Sequence, residues 1–103
     1  PLMAEVREKL GAGPVYLSFD IDGIDPAFAP GTGTAEIGGL TSTQGIEIIR
    51  GMRGLDVVGG DLVEVSPPYD PFGNTSVLAA NLLFEMLCIL PGVRYDDKVK
   101  AIY

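Results

Sequence analysis

Residues 14–26 read PVYLSFDIDGIDP. Val15 to Asp20 is a short β-branched and aromatic run set between Gly13-Pro14 and an Asp-Gly turn signal. It predicts a strand, buried on both faces in the middle of its sheet. A second run of the same character, VVGGDLVEV at residues 57–65, stops at Ser66-Pro67-Pro68, because tandem prolines cannot continue a ladder. Between the two runs lies a helical pattern over Thr41 to Arg53. Thr41-Ser42-Thr43-Gln44 fits a capping box, Ile46, Ile49 and Met52 share a face, and Gly54 is the expected stop. Gly45 and Gly51 either weaken this helix or allow close packing. Strand, helix, strand, then helix predicts an α/β fold with a parallel sheet.

The flanking segments complete the pattern. Leu2, Met3, Val6 and Leu10 recur at helical spacing, and Gly11 ends that helix. Residues 23–40, GIDPAFAPGTGTAEIGGL, form a long loop whose Ile24, Phe28, Ile37 and Leu40 predict order. Residues 75–90 predict a last helix with Asn74 or Thr75 as N-cap. It is apolar nearly all round, so burial on every side is expected. Pro91-Gly92 ends it, and the charged tail 94–100 is expected in solvent. Tyr16, Phe19 and Phe84 read as core aromatics, and Cys88 as a core thiol.

Composition narrows the function. The 103 residues make one domain at most, with 14 acidic against 7 basic side chains and a formal net charge of -7. No basic cluster exists to displace counterions from nucleic acid. A single cysteine cannot form an internal disulfide, which predicts a reducing compartment. Without histidine there is no His-held zinc, no Ser-His-Asp triad and no Cys-His pair. Any metal must be held by carboxylates, which favours hard cations or Mn2+. The apolar stretch from Val77 to Leu90 falls short of the roughly 20 residues that span a bilayer. No membrane partner and no secretory signal are expected. The mean hydropathy of +0.29 is high for so small a chain, as expected of a piece of a larger core.

The acidic residues concentrate where strands end, and parallel sheets bind ligands beyond the carboxyl ends of their strands. Asp20, Asp22 and Asp25 follow the first run, and Glu64 lies near the end of the second. If the strands are parallel neighbours, all four lie on one sheet edge, where mutual repulsion favours a cation. Residues i and i+2 of a strand point the same way, so Asp20 and Asp22 can reach one centre. Spacing alone nonetheless favours a turn cap with Gly23. Asp25, before Pro26, reads as a turn former. Glu64 among valines is either a functional strand end or a solvent-facing edge residue. Asp61 reads as structural, or as a hydrogen-bond partner behind the ligands. The glycines of Pro30-Gly-Thr-Gly-Thr34 read as backbone rigidity; the loop lacks the lysine of a phosphate cradle.

Taken together, Ser18-Phe-Asp-Ile-Asp-Gly-Ile-Asp-Pro26, Pro30-Gly-Thr-Gly-Thr34 and Gly38-Gly-Leu-Thr41 resemble the last signature of the arginase/agmatinase ureohydrolases. Asp61-Leu-Val-Glu-Val-Ser-Pro67 and the stretch from Asn74 to Leu82 resemble the family's segments C-terminal to that signature. SPPYDPFGN, residues 66–74, is closer to agmatinases and guanidinobutyrases than to arginases. The resemblance implies a three-layer α/β/α fold, of which residues 1–103 correspond to the C-terminal βαβα part. It implies hydrolysis of a guanidino group to urea and an amine with two Mn2+ ions. Agmatine is the first substrate implied, giving putrescine, and 4-guanidinobutyrate the alternative. Asp20 would bridge the two metals, and Asp22 would bind one. Glu64 would hold the guanidinium through paired charge-assisted hydrogen bonds, with Thr34 assisting. No residue is assigned as the acid or base. A homo-oligomeric parent is implied, cytoplasmic, or mitochondrial in a eukaryote.

Two departures stand out. Ala35 comes after Thr34 where the family has proline. The family's other metal ligands, a histidine and an Asp-x-His-x-Asp segment, have no counterpart, since the chain has no histidine. This adds another reading: an inactive piece that can only associate with other subunits. The isolated 103 residues are therefore expected to bind Mn2+ weakly and to release no urea. A urea assay with agmatine against an Asp20→Ala control checks this; release above the control overturns it.

Overall fold

The computed structural model describes residues 1–94. Its elements are α1 (Leu2–Leu10), β1 (Pro14–Asp20), a 3₁₀ turn (Ile21–Gly23), α2 (Ser42–Arg50), β2 (Asp56–Val63), a second 3₁₀ turn (Pro67–Tyr69) and α3 (Asn74–Cys88). β1 and β2 pair in parallel, from Pro14 opposite Asp56 to Asp20 opposite Val63, with a register shift between Val15 and Tyr16. An isolated parallel bridge, Ile24 to Leu40, closes the base of the long loop. The α/β order with a parallel sheet is as the sequence predicts. All but Arg94 of the charged tail 94–100 lies outside the described residues.

The core lies on one face of this ribbon. Val15 and Phe19 of β1 and Val57 of β2 meet Ile49 of α2 and Ala79, Leu82 and Met86 of α3. Met3 and Val6 of α1 pack against the same cluster. α2 begins at the expected capping box, with Thr41 Oγ1 accepting from Gln44 N and Gln44 Oε1 from Thr41 N. Gly45 allows close packing, because a Cβ there would lie 2.8 Å from Ile24 Cδ1. α2 is shorter than predicted. After Arg50 the amides of Met52 and Arg53 turn back to Ile49 and Arg50, tightening the chain into a turn that Gly54 leaves at φ +90°. Arg7 of α1 donates to the Gly51 and Arg53 carbonyls freed there.

Three burial expectations are corrected. β1 is covered on one face only: Tyr16 is 61% exposed, and Ser18 and Asp20 are exposed with it. Phe84 is also 61% exposed, so of the three expected core aromatics Phe19 alone is buried. α3 buries one stripe, while Val77 and Leu87 face outward at 71% and 61% exposure. Its composition is apolar on both sides, but α2 and β2 pack against one of them. An apolar groove of about 350 Å³ stays open beside it, lined by Leu17, Val57, Val58, Leu83, Leu87 and Leu90. Cys88 is half-buried.

A two-pronged ion pair joins α2 to α3. Arg50 Nε and Nη2 donate to Glu85 Oε2 and Oε1 at 2.9 and 2.7 Å. The Arg50 hydrogen bonds hold the Glu85 carboxyl below its ordinary value, against partial desolvation. This pair contributes stability above the unfolded value near 4.5, and the contribution is lost as pH falls through the lower folded value. Arg50→Ala is expected to cost about 1–2 kcal/mol at neutral pH, since Arg50 is half exposed. Urea unfolding at pH 7 and pH 3 measures it. An equal cost at both values would show that the charge pair is not the source.

Candidate functional site

β1 and β2 end level with each other; the chain leaves β1 through a tight 3₁₀ turn and leaves β2 through the irregular residues 64–66. Asp20 is the last residue of β1 and the N-cap of the first 3₁₀ turn; its Oδ1 accepts from Asp22 N at 3.0 Å. The expected turn cap thus forms, and the same turn brings the two carboxyl groups together. Desolvation raises the Asp20 carboxyl above its ordinary value; the Asp22 amide opposes this, and the adjoining Asp22 carboxyl adds to it. Twelve residues on, the Gly-Thr loop folds back, and Thr34 Oγ1 donates to Asp22 Oδ2 at 2.5 Å. Asp20, Asp22 and Thr34 therefore form one contiguous polar corner at the sheet edge.

The other two acidic candidates behave differently. Asp25 is a turn former, as expected: Oδ1 accepts from Ala27 N at 2.8 Å and Oδ2 from Gly38 N at 2.9 Å. Those amides hold its carboxyl below the ordinary range. Glu64 lies one residue beyond β2, next to Val63, the strand partner of Asp20, and it is exposed. Its side chain meets solvent, at the strand end where the sequence reading places a functional residue. Its backbone is left-handed, φ 72°, the sole non-glycine residue so placed among those described. The expected four-carboxylate cluster does not form. Among the described residues, no group of three or more Cys, His, Asp or Glu side chains converges enough to hold one metal ion.

Asp61 is structural in the manner of a clasp. Its Oδ2 accepts from Tyr16 Oη at 2.8 Å and its Oδ1 from Ser18 Oγ at 2.6 Å, across the ribbon's exposed face. The Ser18 and Tyr16 hydroxyls hold Asp61 below the usual carboxylate range, and bonding to Asp61 raises the Tyr16 phenol.

Two residues that join the start of α3 to the Gly-Thr loop carry no signal of this role in the sequence. The N-cap of α3 is Gly73, at φ 74°, rather than Asn74 or Thr75. The helix start is satisfied from further back: Asp70 accepts from Thr75 N, Ser76 N and Ser76 Oγ at 3.0, 2.9 and 2.6 Å. The Ser76 hydroxyl and these amides hold the Asp70 carboxyl low. Thr75 is left to accept from Gly31 N of the Gly-Thr loop at 2.8 Å. An acidic residue five positions before the first threonine of a helix fits no capping spacing, so only the folded chain exposes the pair.

The left-handed conformation at Glu64 stores about 1 kcal/mol. Glu64→Gly is expected to raise stability by about that amount, while Glu64→Ala does not. Urea midpoints at unchanged slope measure it; no gain with glycine would mean that no strain is held there.

Comparison with known proteins places this geometry in context. The model of the family described as "Arginase family" matches residues 1–88. Guanidinobutyrase of Pseudomonas aeruginosa is 80% identical over 93 residues, which are 90% of this chain and 29% of that protein. The chicken (Gallus gallus) protein named agmatinase, mitochondrial, is 70% identical over 94 residues, 91% of this chain and 28% of that protein. Among solved structures, proclavaminate amidino hydrolase from Streptomyces clavuligerus superposes with a TM-score of 0.81 at 50% identity, covering 84% of this chain and 29% of that one. The chain thus spans under a third of the length of each of these proteins.

Proposed function

The chain belongs to the arginase family, and we propose that the protein containing it hydrolyses the guanidino group of a small guanidino acid, 4-guanidinobutyrate foremost. Water would add its oxygen to the guanidino carbon. The C–N bond to the tail would break, and the tail nitrogen would leave as an amine, with urea as the other product. The contact between Thr34 and Asp22 supports a hydrolytic site at this edge, because it draws the Gly-Thr loop onto the Asp-x-Asp turn. The 80% identity to a protein named guanidinobutyrase supports the substrate. Agmatine is the second reading, supported by the 70% identity to a protein named agmatinase.

Asp20 and Asp22 are hard oxygen donors placed side by side, as Mn2+ would require. In this reading Asp20 and Asp22 would hold the metal, Asp20 shared between two ions and Asp22 serving one, and the remaining ligands would come from residues outside this chain. Bound Mn2+ supplies Lewis-acid polarisation and an acidified water. The residues of this chain do the rest. Glu64, exposed beside the same edge, pairs its carboxylate with the planar guanidinium through two charge-assisted hydrogen bonds. Thr34, held at Asp22, presents its hydroxyl to the same group. The compartment proposed is aqueous, either the cytoplasm or, in a eukaryote, the mitochondrion; no described helix is long and apolar enough to cross a membrane.

In the full-length protein, Asp22→Ala is expected to lower bound manganese and to reduce urea release by at least about 100-fold. Metal analysis and a urea assay check both, and unchanged values would remove Asp22 from the ligand set. The wild type is expected to favour 4-guanidinobutyrate over agmatine by about tenfold or more in kcat/KM. The reverse ratio would establish agmatine.

A further inference from the structure

Thr34 sits on the exposed arm of a loop with a buried root. Ala29, Gly31 and Thr32 are buried, and residues 33–39 are exposed. The root is held from two sides at one residue. Gly31 N donates to Thr75 Oγ1 at 2.8 Å, and the Gly31 carbonyl accepts from Ser66 N at 2.8 Å. Contact is close enough that a Cβ on Gly31 would lie 2.6 Å from Asp70 Cβ and 2.9 Å from Thr75 Cβ. Thr75 has no exposed surface, and its own amide is fixed by Asp70 Oδ1 at 3.0 Å.

We propose that Thr75 is a positioning residue: its buried hydroxyl anchors Gly31 and so sets the loop that places Thr34 on Asp22. The proposal rests on the reading of Thr34 and Asp22 given above. Thr75 touches neither residue; it acts through the short span from Gly31 to Thr34. That span reaches at most about 10 Å, so a fixed root strictly limits where the Thr34 hydroxyl can lie. Removing the acceptor leaves a buried N–H unpaired, and the root must move to satisfy it. A guanidinium contact depends on geometry at the scale of such a movement. Valine keeps the shape of threonine without its hydroxyl, whereas serine keeps the hydroxyl.

The test compares wild type, Thr75→Ser and Thr75→Val in the full-length, manganese-loaded protein. Thr75→Val is expected to lower kcat/KM for 4-guanidinobutyrate about tenfold. Amide exchange at residues 31–34 should accelerate by a similar factor, with α2 amides unchanged. Thr75→Ser should stay within about twofold of wild type in both. A merely structural role would speed exchange in α2 and in the loop alike, and that result overturns the proposal. So does unchanged exchange at residues 31–34, unchanged kcat/KM, or a serine variant as impaired as valine. A wild type inactive on every guanidino substrate would overturn the hydrolase reading, while the exchange comparison still upholds or rejects the anchor. If Thr75→Val does not fold, Gly31→Ala, which displaces the loop from the same anchor, is expected to give the same loop-confined acceleration. Its absence would overturn the proposal.

Discussion

The parallel register of β1 and β2 is the constraint on which the rest of the structure depends. With Asp20 opposite Val63, both strands end at one level, and the turn carrying Asp22 and the segment carrying Glu64 leave from the same edge. A slip of one residue would invert every side chain of a strand, sending Val15 and Phe19 to solvent and Ser18 and Asp20 into the core. Two forces oppose that slip. The apolar cluster holds Val15, Phe19 and Val57 on one face. On the other, the Asp61 carboxylate accepts both the Ser18 and the Tyr16 hydroxyls. Register is thus fixed by packing below and by a charged clasp above.

The polar corner beyond this edge is assembled from short local bonds and one long-range anchor. Asp20 shapes its own turn, Asp25 shapes the next by accepting two amides, and the bridge from Ile24 to Leu40 closes the loop base. None of these places Thr34. The Gly-Thr loop is positioned from the opposite side, where Asp70 satisfies the first amides of α3 and Thr75 remains available for Gly31. The helix start therefore contributes a support for a loop. Glu64 adds a strained backbone at the same edge, and strain held at such a position is a feature of functional sites.

The described surface carries a run of exposed apolar side chains. The outward side of α3 carries Val77, Phe84 and Leu87, and an open apolar groove runs beside it. The arginase-family relatives named above are more than three times as long as the matched stretch.

The sequence by itself determined the order of elements, the parallel α/β class, the capping box of α2 and the turn role of Asp25. Each of these is written in residues two to four positions apart, where the periodicity of a strand, a helix or a turn is decided by local geometry. The Asp-x-Asp turn was equally visible, though its spacing alone could not separate a cap from a ligand pair; the fold forms the cap and brings the carboxyls together in doing so. Only the tertiary structure decided which faces of β1 and α3 are covered, because an apolar pattern does not say which neighbours are present. It alone joined Asp61 to Tyr16 and Ser18, and Thr75 to Gly31, pairs separated by 43 to 45 residues. No spacing rule reaches that far. Such partners meet only when a register and a helix start have brought distant segments to one place.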